Sequence, residues 1–239
     1  MNEIILTHTG MLGDFFFCLP VASWLHRTQD VKTHWVLVDG FEPFHHIESL
    51  LMQQPFTSRL SLVPHHFRWG CGGQPYKFNP AYYGINGSYF NLGFRSFPDK
   101  YIPEFYAEEH GLSYDKDYRI DPGPNIVGSG EILRSREILM KVLAPQATPI
   151  PWKFALLDLI RMLSAAEEVH AWFGGMSIMC HMIKRKFTCY YAKVNGDLNV
   201  RSRYIPDDDL VVWRDAQDLF DWGSPLLQLT VTIDGGIHS

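Results

Sequence analysis

The hydrophobic and polar positions at the start of the chain predict a strand, a turn, a helix and a second strand. An apolar run at residues 4–6 indicates a buried strand, and a glycine-punctuated turn follows it. Apolar residues then recur at helical spacing, as in a helix packed on a sheet. This βαβ unit places Asp14 in the loop where open α/β sheets bind their ligands. The helical stripe consists of Leu12, Phe15, Phe16, Leu19 and Val21, and the second strand covers residues 33–39.

The alternation of strand and helix patterns continues to about residue 65 and then stops. Residues 67–97 are rich in turn formers and aromatic side chains and predict no regular element. Long aromatic loops are often functional, and a plain surface lid is an equal alternative. Around this loop the pattern predicts a helix over 42–52, a strand over 58–63 and a helix over 98–111 that ends at a glycine.

A second α/β half follows residues 121–124, where two prolines and a glycine stop regular structure. We therefore expect two Rossmann-like α/β domains, an N-terminal one over 1–121 and a reduced C-terminal one over 125–239. The pattern of the second half predicts strands at 125–127, 167–173 and 187–192, helices over 131–143, 152–164 and 176–184, and a strand-like tail at 226–232.

Composition limits the classes of function. The 239 residues carry a net charge of −5, so there is no global basic field for nucleic acid, although a local basic patch stays possible. The four cysteines form no CxxC pair and indicate reduced thiols. There is no apolar run of about 20 residues and no secretion signal, so we expect a cytoplasmic protein without membrane insertion. Composition does not predict an oligomeric state.

The second glycine turn is a candidate anion site. A strand, Gly174-Gly175 and then a helix leave backbone N–H groups free at a helix N-terminus, where the dipole favours a phosphate. Ser177 could add a hydroxyl, and His181 lies one helical turn further on. The alternative is a tight strand-to-helix turn whose following basic residues only cap the helix. A weaker case is Ser129 between two glycines, followed by Arg134 and Arg136, where a solvated helix face is the commoner explanation.

Asp14 has two interpretations, a capping carboxylate or a general base at a cleft. Other chemistries lack their sequence signatures. The chain has no HExxH motif or Cys/His ligand spacing, so we expect no metal site. It also has no GxSxG elbow, no GxxxxGK[ST] loop and no GxGxxG fingerprint, which argues against the corresponding hydrolases, P-loop NTPases and NAD-dependent enzymes.

Three segments together resemble a known family. They are Leu12-Gly13-Asp14 with Leu19-Pro20 and Leu25, residues 91–95 with 107–112, and residues 165–170 with Gly174-Gly175-Met176-Ser177. This combination is similar to the heptosyltransferase-like glycosyltransferases (glycosyltransferase family nine). The resemblance implies a GT-B-type arrangement, with the acceptor on the first domain and the nucleotide-sugar on the second. The family usually has Asp-Thr/Ser-Gly where this chain has Phe173-Gly174-Gly175.

By this resemblance Asp14 is the catalytic base of an inverting, metal-independent transfer, and the nucleotide-sugar is a co-substrate rather than a bound cofactor. The resemblance implies a cell-surface glycan as the acceptor, and a hydroxymethylated DNA base, of the sort some phages glycosylate, is the competing hypothesis. The alternative is a degenerate, non-catalytic fold that binds a nucleotide or a protein. We expect donor binding by Gly174, Gly175, Met176, Ser177, His181, Arg134, Arg136 and Ser129, and acceptor binding by His8, Thr9, Gly13, Trp69, Tyr82 and Tyr83.

Overall fold

The computed structural model describes residues 2–8, 12–39, 47–64, 78–94, 98–124, 126–135, 140–150, 155–192, 198–206 and 208–217. Contacts divide the chain into two compact units. Unit 1 comprises Met1–Asn125 with Phe154–Arg161, and unit 2 comprises Ile126–Lys153 with Met162–Ser239. Each unit contains a parallel sheet with connecting helices, so the expected α/β class is confirmed.

The sheet of unit 1 has the strand order β3-β2-β1-β4, and all three strand pairs are parallel. A 3-10 turn at Phe16–Cys18 joins the first two helices, and another lies at Pro80–Tyr83. The strands are β1 (Asn2–His8), β2 (Val31–Asp39), β3 (Thr57–Pro64) and β4 (Tyr89–Asn91), and the helices are α1 (Leu12–Phe15), α2 (Leu19–Gln29), α3 (Glu48–Gln53) and α4 (Ile102–Glu108).

Pro20 explains the 3-10 turn between α1 and α2. Proline has no N–H, so the carbonyl of Phe16 cannot accept the usual bond from position 20. It accepts the N–H of Leu19 instead. The helical segment is nevertheless held firmly, since Phe15, Phe16 and Phe17 are fully buried. The ring of Phe15 lies edge-on to Trp35 of β2, with 5.0 Å between the ring centroids.

The sheet of unit 2 has the order β6-β5-β7-β8-β9, again with all pairs parallel. No helix in the described residues is long and apolar enough to cross a membrane. The strands are β5 (Ile132–Arg134), β6 (Thr148–Pro149), β7 (Glu168–Trp172), β8 (Phe187–Tyr191) and β9 (Val211–Asp215). The helices are α5 (Met140–Leu143), α6 (Leu156–Ala165), α7 (Gly175–Met182) and α8 (Leu198–Tyr204).

Each sheet contains one point where the strand order reverses. In unit 1 the reversal lies between β1 and β4, and in unit 2 between β5 and β7. Open α/β sheets bind ligands in the crevice at the carboxyl ends of the strands that flank such a reversal. The turns at Asp14 and Gly174 follow β1 and β7, so each lies at the switch point of its own sheet.

Three sequence predictions are wrong. The strand predicted at 125–127 is not formed by its described residues, 126 and 127, which have no regular structure. Of the described residues in the helix predicted over 131–143, Ile132–Arg134 form strand β5 and Met140–Leu143 form helix α5. The loop predicted over 67–97 contains β4, which pairs with β1. Both strands have three residues, too few to show a period, and they are fixed by pairing with distant strands. The first residues of the predicted helix at 42–52, residues 67–77 and 95–97 of the aromatic loop and the tail at 226–232 lie outside the described residues.

The segment at 121–124 is anchored to unit 1 by a buried amide. Gln54 donates to the carbonyl oxygens of Leu50 at 3.0 Å and Asp121 at 3.1 Å. Its Oε1 accepts the Tyr118 hydroxyl at 3.0 Å and the Asp121 N–H at 3.2 Å. Gly123 follows at a positive φ of 86°, which favours glycine. These contacts therefore hold the segment at 121–124 in a fixed position against unit 1.

We expect Gln54→Met to lower the free energy of unfolding by about 2–3 kcal/mol, because it keeps the side-chain volume and leaves the Tyr118 hydroxyl and the Asp121 backbone without their buried partner. Urea unfolding measures the change. Gln53→Met, on the exposed side of α3, is the matched control and should change stability by less than about 0.5 kcal/mol. Equal stability of both variants would contradict the anchoring role.

Candidate functional site

Asp14 is a buried carboxyl group at the switch point of the first sheet. It lies in α1, directly after the half-buried Gly13, and is 9% exposed. Burial raises its pKa from 3.8 to about 7. This shift is larger than any effect of the nearby helix N-terminus, which would favour the charged form. A carboxyl group with a pKa near 7 can take up a proton from a substrate at neutral pH.

His8 forms the end of β1 and ties it to the chain after β4. Its Nδ1 donates to the carbonyl oxygen of Leu92 at 2.7 Å, and its ring lies edge-on to Phe15 at 5.8 Å. One residue earlier, Thr7 donates its hydroxyl to Asn91 of β4. These bonds hold together the two strands that flank the switch point. The acceptor-binding role predicted for His8 remains a prediction, and its side chain is 1% exposed.

Cys18 completes a buried polar group around Asp14 that the sequence analysis missed. Its Sγ lies 3.6 Å from Nδ1 of His8. Burial, and then the charge of Asp14, raise the pKa of the thiol well above its usual value. The charge of Asp14 thus acts on the thiol of Cys18. A single cysteine on an apolar helix carries no sequence signal for this position.

The aromatic residues predicted to bind the acceptor differ in what they can contact. Tyr82 is 86% exposed. Tyr83 donates its hydroxyl to the carbonyl oxygen of Pro64 at 3.0 Å, and its ring stacks on Phe78 with 5.6 Å between centroids. Of this pair, Tyr82 is the side chain that presents its ring to solvent. Two further residues predicted to bind the acceptor, Thr9 and Trp69, lie outside the described residues.

The second glycine turn is held by Ser177. The Ser177 hydroxyl donates to the carbonyl oxygen of Gly174 at 2.8 Å and accepts the Gly174 N–H at 3.0 Å. Ser177 is fully buried, so it supports the turn from the interior of the protein. A Cβ added at Gly174 or Gly175 would meet no atom of the described residues within 4 Å. The backbone N–H groups of Gly175 and Met176, in the first turn of α7, therefore border open space and lack helical acceptors.

Ser135 braces this turn from the neighbouring strand. Its hydroxyl accepts the N–H of Trp172 at 2.8 Å, and its own N–H donates to the carbonyl oxygen of His170 at 2.8 Å. It is 1% exposed and follows β5 directly. The two strands at the second switch point are thus joined immediately before the glycine turn. The sequence pattern predicts a helix at this position and therefore gave no indication that Ser135 supports the turn.

Two residues predicted to bind the donor lie at the opposite edge of the second sheet from the glycine turn. His181 is near the end of α7, which runs back from the carboxyl edge, and its Nε2 lies 3.0 Å from Oδ2 of Asp208. Burial is the largest effect on its pKa, which is lowered. Ser129 precedes β5, and its N–H and hydroxyl donate to the carbonyl oxygen of Ala165. Parallel strands separate both residues from the turn.

Arg134 lies in a strand and is buried, so the interpretation of this segment as a solvated helix face is wrong for Arg134. It is the last residue of β5, and its Nε donates to the carbonyl oxygen of Ala147 at 3.0 Å. Its side chain is buried in this contact. Arg136 lies outside the described residues. Among the described residues, no three His, Cys, Asp or Glu side chains are grouped to hold a metal ion.

Phe173 stands directly before the glycine turn, where the resembling family has an acidic residue. Its ring lies edge-on to Tyr204 of α8 at 5.8 Å and 6.1 Å from Trp213 of β9. The aromatic cluster of Phe173, Tyr191, Tyr204 and Trp213 therefore lines the carboxyl edge of unit 2 beside the turn.

Two parallel α/β units, each with a turn at its switch point, match the GT-B-like fold of glycosyltransferases. The chain is similar to heptosyltransferase WaaC of E. coli with ADP (TM-score 0.61, 13% identity, covering 97% of this chain and 99% of that one). It is also similar to ADP-heptose LPS heptosyltransferase II of E. coli (TM-score 0.58, 10% identity, 98% of each chain). A third is a glycosyl transferase family 9 protein of Veillonella parvula (TM-score 0.57, 10% identity, 95% of this chain and 89% of that one).

No protein-family model and no curated protein matches the chain. The resemblance to heptosyltransferase-like glycosyltransferases, first indicated by short segments of sequence, is thus confirmed at the level of the fold by the solved structures.

We expect Asp14→Asn to stabilise the protein at pH 8 and to have little effect near pH 4. The folded state binds the Asp14 proton more tightly than the unfolded state does, because the folded pKa is about 7 against 3.8. Stability of the unsubstituted protein therefore falls as the pH rises between these values, by at most about 4 kcal/mol. Urea unfolding at pH 4, 6 and 8 measures the difference, with the exposed Asp99→Asn as control. A difference in the free energy of unfolding that is the same at all three pH values would contradict the effect of burial on the pKa of Asp14.

Proposed function

We propose that the protein is a glycosyltransferase that moves a sugar from a nucleotide-sugar to an acceptor hydroxyl, with Asp14 as general base. The observation that carries the proposal is the buried Asp14 carboxyl at the first switch point of a glycosyltransferase fold, with its pKa raised to about 7. We assign the acceptor to unit 1 and the donor to unit 2, and we expect the reaction in the cytoplasm.

The proposed step is a single displacement. The acceptor oxygen attacks the anomeric carbon while its proton passes to an Asp14 carboxylate oxygen. The bond between the anomeric carbon and the phosphate oxygen breaks, and its electron pair leaves with the nucleoside diphosphate. Attack opposite the leaving group inverts the anomeric configuration. The proposal assigns the charge of the leaving group to the N–H groups of Gly175 and Met176 and to the dipole of α7, without a metal ion.

The solved structures suggest where to begin with substrates. WaaC of E. coli is described with ADP and with ADP-2-deoxy-2-fluoro heptose, and heptosyltransferase II as acting on LPS with ADP-heptose. We therefore propose an ADP-linked sugar as the first donor to test and a lipopolysaccharide-type glycan as the acceptor. A glycan is favoured over a hydroxymethylated DNA base because a net charge of −5 gives no overall attraction to a phosphate backbone.

We expect Asp14→Asn to reduce sugar transfer by about 10²-fold or more, since the amide cannot accept the acceptor proton. Binding of the donor should change by less than about twofold, because Asp14 and the glycine turn belong to different units. Radiolabelled sugar transfer measures turnover and calorimetry measures donor binding, with Asp99→Asn as control. An Asp14→Asn variant with full turnover would exclude Asp14 as the base.

The pH dependence of kcat/KM in the unsubstituted protein tests the same role. The base must be ionised, so the rate should rise with pH and level off above an apparent pKa of about 7. A profile that is flat between pH 5 and 8, with transfer intact, would contradict the assignment of Asp14.

We expect Gly175→Leu to weaken binding of a nucleoside diphosphate about tenfold or more, because its side chain would fill the open space above the turn. The fold should be retained, since the added Cβ meets no atom of the described residues within 4 Å and the φ of Gly175 is not positive. Calorimetry with ADP measures affinity. Gly128→Leu, at the opposite edge of the same sheet, is the control. Equal affinities in the two variants would place the diphosphate elsewhere.

A further inference from the structure

Arg201 is a buried arginine whose charge has no counter-ion among the described residues. Its side chain in α8 is 2% exposed. Its guanidinium carbon lies 3.1 Å from the centroid of the Tyr191 ring and 5.1 Å from that of Trp213. Neither Nε nor Nη1 makes a hydrogen bond in the described part of the chain. The aromatic rings contact the cation and offer no acceptor for these two N–H groups.

Such an arrangement is costly to the protein unless another group uses it. Buried charges are normally paired, and a buried donor without an acceptor destabilises a fold, more so when it is charged. Stacking on an aromatic ring offsets part of this cost and leaves the donors unsatisfied. A guanidinium that is held in place and lacks an acceptor is suited to bind an anion, above all phosphate.

The position of Arg201 relates it to the second glycine turn. Side chains alternate along a strand, so Cys189 and Tyr191 of β8 project from one face, and Trp213, the register partner of Cys189, shares that face. Arg201 lies on this face. Burial raises the pKa of the Cys189 thiol to about 12, while Ser177, whose hydroxyl holds Gly174, and the charge of Arg201 both act to lower it. The guanidinium therefore lies close to the turn at Gly174, on the same side of the sheet.

Phe173 is part of the same arrangement. Its ring contacts Trp213, which in turn lies under the guanidinium of Arg201. The aromatic cluster therefore extends from the residue before the glycine turn to the arginine. Where the resembling family has a carboxylate, which would pair with a nearby cation, this chain has an apolar ring that leaves the charge of Arg201 available.

We propose that Arg201 binds a phosphate group of the donor, donating Nε–H and Nη1–H to its oxygen atoms beside the N–H groups of the glycine turn. This inference rests on the proposed function, because it takes the ligand to be the diphosphate of a nucleotide-sugar. A fixed positive charge at this point stabilises the diphosphate most when it gains a negative charge on leaving. Arg201 would therefore contribute to binding of the donor and to departure of the leaving group.

The test uses pyrophosphate, ADP and adenosine as separate probes in calorimetry with the full chain at fixed ionic strength. Arg201→Met keeps the apolar stem on Tyr191 and removes the charge and the donors. We expect pyrophosphate and ADP to bind about 30-fold or more weakly to it, and adenosine to bind as before. Arg201→Lys keeps the charge without the planar group and should weaken pyrophosphate binding about five- to tenfold. Arg214→Met, at an exposed position on β9, makes the same charge change and should alter pyrophosphate affinity by less than about twofold.

Pyrophosphate affinity that is unchanged in Arg201→Met, or no binding of pyrophosphate by the unsubstituted protein, would overturn the proposal. If Arg201→Met does not fold, Arg201→Lys decides, and an affinity within twofold of the original would overturn it. Failure of the proposed function can be distinguished from failure of the role proposed for Arg201. Arg201-dependent pyrophosphate binding without binding or turnover of any nucleotide-sugar would keep the anion site and exclude the transferase. Sugar transfer that is unaffected by Arg201→Met would keep the transferase and exclude Arg201 from its donor site.

Discussion

Every strand pair in both sheets is parallel, so the carboxyl ends of the strands in each unit meet at one edge. Each connection must also return along a face of the sheet and cover it with apolar side chains, as Phe15 does against Trp35. A residue that follows a strand directly, such as Asp14 or Gly174, therefore lies at the ligand-binding edge. A residue at the far end of the returning helix, such as His181, lies at the other edge.

This constraint also explains how far sequence could predict the site. Asp14 and Gly174 follow apolar runs and precede helical stripes, so local pattern was enough to place both turns. It could not place Ser135, whose partner Trp172 is 37 residues away, or the three-residue strand β4. Nothing in the sequence indicated Arg201. Its unusual property is that Nε and Nη1 lack an acceptor among the described residues, and this depends on the tertiary structure around it.

Burial penalises the charged form of both groups at these edges, and the two groups respond differently. The carboxyl of Asp14 can avoid the penalty by holding its proton, which is why its pKa rises to about 7. A guanidinium keeps its proton, so Arg201 must carry its charge into the interior and rely on Tyr191 and Trp213. One unit thus holds a group that can gain or lose a proton near neutral pH, and the other holds a permanent cation.

The hydrogen bond between Thr7 and Asn91 joins residues 84 positions apart, and it belongs to the last strand added to the first sheet. As the chain leaves the ribosome, β1 and β2 are complete long before β4 emerges. During that interval β1 is an open edge strand with unpaired backbone groups beside Asp14, and it can pair with a wrong strand. The region around Asp14 is consequently the part of unit 1 most exposed to misfolding during synthesis.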